Sequence, residues 1–140
     1  MWFIVSLLFA QAPQLLLPEG HGAWVVQINT TGGILGTGVG GIAVSSERKI
    51  LCSPAMKCPY AFNLADIQPF VENVQALTLP LPPPASVSLC RDCITRMIKI
   101  SWRDSMGFLH SYALTFDETT KGNLPPDVAK LYDAVVGLGK

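Results

Sequence analysis

The chain has 140 residues, of which 49% are hydrophobic and 14% charged, and its ten basic and ten acidic side chains cancel. That length fits a single domain. Zero net charge with no run of Lys or Arg excludes a general electrostatic hold on nucleic acid or on an anionic membrane, and suits a domain that works bound to something.

The first residues, Met1 to Ala12, form an uncharged apolar run ending in small side chains, with Pro13 behind it. The run is too short to span a bilayer, and it predicts a secretory signal with Ala10 and Ala12 at the processing site. The alternative is a frayed N-terminus without a targeting role. Residues 13–23 contain Pro13, Pro18, Gly20 and Gly22 and read as a tether, so signal and tether occupy 1–22 and one domain occupies 23–140. Secretion or a periplasmic location follows from that signal. No later stretch approaches 18 unbroken apolar residues, so no stable membrane insertion of the mature domain is expected.

Trp24 to Thr30 is β-branched and aromatic, with Trp24, Val26 and Ile28 on one side, and predicts the first strand. Six glycines between Gly32 and Gly41 forbid a helix and predict a turn or bulged connection. Gly41–Ser45 is a second strand, Ser46–Lys49 a polar turn, and Ile50–Cys52 a possible short strand. Asp66 is the expected cap of a first helix, with Pro69 in its first turn and Phe70, Val71, Val74 and Leu77 on its buried face. Leu79–Ala85, with Pro80 and Pro82–Pro84, is an extended polyproline-like connection. Ile94–Trp102 and Phe108–Phe116 alternate on either side of the turn Arg103–Gly107 and predict a β-hairpin. Pro125 and Pro126 start a last helix with Val128, Leu131, Val135 and Leu138 as its stripe. Strands with one apolar face need a helical cover. The expected fold is therefore α+β: an antiparallel sheet of about four strands with two helices packed on one face.

Four cysteines, Cys52, Cys58, Cys90 and Cys93, suit two disulfides in an exported chain, with three connectivities open. A four-thiolate zinc site is the alternative, although the spacing of Cys52 and Cys58 lacks the usual two-residue knuckle. Cys90–Cys93 is a C-x-x-C, but a strand rather than a helix follows, which removes the dipole that would stabilise a thiolate. The glycine run lacks a P-loop lysine and precedes a strand, so phosphate binding has no helix N-terminus to use. His21 lies in the tether and His110 in a strand. No H-E-x-x-H, nucleophile elbow or carboxylate pair is present, so no catalytic residue, metal ligand or cofactor site is assigned and the chain is not expected to be an enzyme.

One order of features resembles the emfourin family, small protein inhibitors of protealysin, a thermolysin-like zinc metallopeptidase. The features are Thr31-Gly32-Gly33-Ile34-Leu35-Gly36 after the first strand, a helix around Phe70–Leu77, the strand Tyr112-Ala113-Leu114-Thr115-Phe116-Asp117, and Leu124-Pro125-Pro126-Asp127-Val128-Ala129-Lys130-Leu131 at the last helix. Together they run over residues 24–138. The cysteines and the export segment make the chain look like an exported, cysteine-bearing relative. The resemblance implies a helix-covered four-stranded sheet and a secreted metallopeptidase as partner. Gly32, Gly33, Ile34, Leu35 and Gly36 are the candidate contact loop, and Pro80–Pro84 a second candidate surface. A secreted structural or interaction module without inhibitory activity is the alternative.

Overall fold

A computed structural model describes residues 17–32, 40–53, 61–77 and 94–138 of the protein. Among these residues five strands form one antiparallel sheet: β1 (Trp24–Gly32), β2 (Gly40–Ser45), β3 (Ile50–Cys52), β4 (Ile94–Arg103) and β5 (Leu109–Phe116). Their spatial order is β3-β2-β1-β4-β5. Among the described residues two α-helices, α1 (Gln68–Gln75) and α2 (Pro126–Gly137), join the sheet in an α+β fold. The sheet has five strands rather than the expected four, because the short Ile50–Cys52 segment pairs with β2 through Ile42–Cys52, Ala43–Leu51 and Val44–Ile50.

Period-two alternation decides which side chains go inward. Trp24, Val26 and Ile28 of β1 lie beside Ile42 and Val44 of β2, and beside Ile98, Ile100 and Trp102 of β4. Tyr112, Leu114 and Phe116 extend that face along β5. All of them are buried in one core cluster with Val71 and Val74 of α1 and Val128, Leu131, Tyr132 and Val135 of α2. Phe116 meets the Tyr132 ring edge-to-face with centroids 5.0 Å apart, a favoured aromatic geometry. Trp24 joins the two layers: its Nε1–H donates to Gln68 Oε1 at 2.8 Å, satisfying the one polar atom of a buried indole. On the opposite face Val25, Gln27, Ala43 and Ser45 are buried as well, so the β1–β2 half is covered on both sides.

The helix starts differ from expectation in detail. Asn63, not Asp66, acts as a cap: its Oδ1 accepts from the Ala65 N–H, and Leu64–Asp66 forms a short 3-10 turn. Ile67 then occupies the α1 cap position and is fully buried, so burial of an apolar side chain overrides polar capping there. Pro69 stays in the first turn, where its missing N–H has no intrahelical acceptor to lose. Gly41 has a steric reason to be glycine: a Cβ there would lie 2.6 Å from Asn29 Oδ1 and 3.0 Å from the Ile28 carbonyl oxygen.

The end of the tether is held against the sheet. Pro18 is buried, and its carbonyl accepts a 2.9 Å hydrogen bond from Arg103 Nε. The Gly22 N–H donates to the Arg103 carbonyl at 3.1 Å. This stretch has no regular structure, as its prolines and glycines require, yet it is anchored through its backbone.

Candidate functional site

The two ends of the sheet are managed differently. At one edge β3 has only three residues and follows Lys49, and both features discourage pairing with another chain. At the other edge β5 runs for eight residues without a charged side chain or a proline. Its register against β4 is unbroken from Arg103–Leu109 to Arg96–Phe116, so no bulge turns it away.

The direction of its backbone groups follows from the hydrogen bonds around Arg103. The Arg103 N–H donates to the Ala23 carbonyl at 2.9 Å and its carbonyl accepts from Gly22, so Arg103 faces the β1 side. Backbone groups alternate along an antiparallel strand, so Trp102, Ile100, Ile98 and Arg96 face β5. The Asp104 N–H, donating to the Phe108 carbonyl at 3.0 Å, obeys the same alternation. Their partners His110, Tyr112, Leu114 and Phe116 therefore point into the sheet. Leu109, Ser111, Ala113 and Thr115 turn N–H and C=O outward, where no described group takes them. The side chains of these four residues are exposed, and three are small, so another backbone can approach closely. Beyond them the Asp117 N–H donates to Thr120 Oγ1 at 2.9 Å, which closes the edge.

An apolar tip adjoins the open edge. Met106 is 75%, Phe108 64% and Leu109 49% exposed, the three most exposed large apolar side chains among the described residues apart from Leu17. The turn that carries them is fixed from several sides. Asp104 Oδ1 accepts from the N–H groups of Met106 at 2.9 Å and Phe108 at 3.0 Å. Asp104 Oδ2 lies 2.8 Å from His110 Nε2, and the His110 ring stacks on Trp102 at 5.5 Å. Arg103 Nη1 donates to the Gly107 carbonyl at 2.9 Å. Gly107 has φ +88°, a left-handed conformation, and a Cβ there would lie 3.0 Å from His21 Nε2.

The His110 hydrogen bond holds the Asp104 carboxyl below its ordinary range, opposed by partial burial and helped by the Phe108 and Met106 N–H groups. A depressed carboxyl supports the fold above its unfolded value, and that support is lost as the pH falls through the folded one. Acidification below about pH 4, the ordinary range of an aspartate, is therefore expected to loosen the tip. The Met106 and Phe108 amides should lose protection there, measured against the intrinsic exchange rate at the same pH, and Asp104→Ala should bring the same loss of protection at neutral pH. Unchanged protection of these two amides after the Asp104 carboxyl has been protonated in the unsubstituted protein would contradict the role given to Asp104.

Of the residues singled out in the sequence, Gly32 ends β1, while Gly33, Ile34, Leu35 and Gly36 lie outside the described residues, as do Pro80–Pro84. Cys52 lies on β3, packed against the core, and is not a free thiol. Cys58, Cys90 and Cys93 lie outside the described residues. The structure brings both histidines to the hairpin tip, His21 beside Gly107 and His110 on Asp104. The open edge and the apolar tip were not singled out by residue type. Their signal in the sequence is a last strand with no charge, no proline and small residues at alternate positions.

Comparison of the chain with protein-family models, with curated proteins and with solved structures finds no match in any of the three. Among the described residues no helix is long and apolar enough to cross a membrane.

Proposed function

We propose that this chain is an exported protein-binding domain that takes an extended segment of its partner onto the free edge of β5. The observation that carries the reading is the row of outward N–H and C=O groups on Leu109, Ser111, Ala113 and Thr115. Strand addition uses such groups for affinity and neighbouring apolar contacts for selectivity. Phe108, Leu109 and Met106 supply those contacts from a turn that is already ordered, so little conformational freedom is lost on docking. In this reading residues 1–22 serve export, and Cys52, Cys58, Cys90 and Cys93 form two structural disulfides.

The emfourin resemblance puts a secreted thermolysin-like metallopeptidase in the partner's place, with the domain as its inhibitor. A thermolysin-like peptidase titrated with the purified domain is expected to lose activity saturably. Full activity at a large molar excess would remove the inhibitory form of the proposal. A non-inhibitory interaction module is favoured by one feature of the edge: it offers backbone groups, which an extended segment of any sequence can match.

A further inference from the structure

A separate cavity of about 590 Å³ opens at the end of the sheet opposite the hairpin tip. Its volume falls in the range of small-molecule sites, roughly 300–1,000 Å³. Ile28, Ile42 and Ile94 from three neighbouring strands and Val136 from α2 give it apolar walls. Arg96 sits among them. By strand alternation it belongs to the helix-covered face, between Ile94 and Ile98, and it is the one formally charged side chain of the described strands on that face.

Arg96 is partly buried and makes no ion pair among the described residues. The side chain it neighbours in the cavity is the neutral Tyr132, whose hydroxyl feels the Arg96 charge. A guanidinium drawn into an apolar row without a counter-charge carries a desolvation cost that an anion would offset. The other charges lie at the mouth. Lys121 is 3.5 Å from Asp133 and 5.4 Å from the Tyr132 ring centroid, so the Lys121 and Asp133 charges largely cancel. Asp133 is 65% exposed on its side chain and Glu118 is exposed, so both acids remain solvated. Of the charged side chains lining the cavity, Arg96 is the one set in the apolar row of the sheet, while Glu118 and Asp133 are exposed to solvent.

We propose that this cavity binds a small amphipathic carboxylate, with its hydrocarbon chain against Ile94 and Val136, above the buried side chains of Ile28 and Ile42, and its carboxylate on the Arg96 guanidinium. A planar guanidinium can meet a carboxylate with two parallel hydrogen bonds, which an alcohol cannot reproduce and a cation would oppose. The site is distinct from the β5 edge and stands or falls independently of it.

The test is an NMR titration of the ¹⁵N-labelled protein with monomeric decanoate, decanol and decyltrimethylammonium. Decanoate is expected to give saturable shifts centred on Ile28, Ile94, Arg96, Tyr132 and Val136. The alcohol and the cation should bind at least about ten-fold more weakly, the loss of one charge-assisted contact. Arg96→Gln should weaken decanoate by a similar factor while leaving decanol unchanged. Val136→Trp, at a partly exposed position, should block the chain of either ligand with Arg96 intact, and it serves if Arg96→Gln does not fold. The proposal is overturned if decanoate leaves these residues unshifted. It is also overturned if decanol or the cation matches decanoate, or if neither substitution weakens it.

Discussion

Leu131→Ala is expected to lower the unfolding free energy by about 2–5 kcal/mol. Leu131 is fully buried in α2, in one cluster with Val71 and Val74 of α1 and Ile98, Ile100 and Leu114 of the sheet. Truncating it removes the transfer energy of three carbon atoms and leaves a void where helices and strands meet, and packed backbone on every side limits collapse. A domain of this size has a total stability of about 5–15 kcal/mol, so the loss is a large share of the whole. A urea unfolding curve measures it. Lys130→Ala, one position away on the exposed side, should stay within about 0.5 kcal/mol. If the two variants had similar midpoints, α2 would not be the cover of this sheet.

The parts of the fold that local pattern could reveal were legible. The Ile94–Phe116 hairpin follows from alternation on both sides of a Gly-containing turn, and the structure places its strands within a residue of expectation. The stripe of α2 was also visible: Val128, Leu131 and Val135 are buried, Leu138 packs half-buried against the same core just past the helix, and Tyr132 joins them unannounced. A tyrosine on that stripe is readily taken for a surface residue, and here its ring packs on Phe116. Ile50–Cys52 was ambiguous because three residues carry too little periodicity, and only its pairing with β2 makes it a strand.

The candidate site was much less legible, since it depends on what lies next to what. Nothing local to Leu109–Phe116 shows that β5 ends the sheet, because the strand order comes from β1 inserting between β2 and β4. The alternation of Arg96 with Ile94 and Ile98 was plain, but that its face is the helix-covered one becomes visible only with α2 above it. Asp104 and His110 are six residues apart across a turn, and their contact needs the hairpin register that places His110 opposite Trp102.

The second large effect separates two adjacent positions on β5. Ala113 turns its N–H outward and Leu114 turns its N–H toward Ile98. Proline removes the N–H and fills its place with a ring, so its consequence depends on which side that group faces. Ala113→Pro should remove one donor from the open edge and place a methylene in the path of an incoming strand. It should leave the β4–β5 ladder intact and abolish strand addition in any assay in which the unsubstituted domain binds. Leu114→Pro should break a ladder bond, leave a carbonyl unsatisfied and empty a core position, together costing about 3 kcal/mol or more.

A side-by-side urea titration of these two variants needs no knowledge of the partner and reaches the open edge directly. An Ala113→Pro midpoint close to that of the unsubstituted protein, with Leu114→Pro largely unfolded, is the result this structure predicts. Loss of folding in Ala113→Pro equal to that in Leu114→Pro would mean that the outer side of β5 is already engaged, and the binding surface proposed here would not exist.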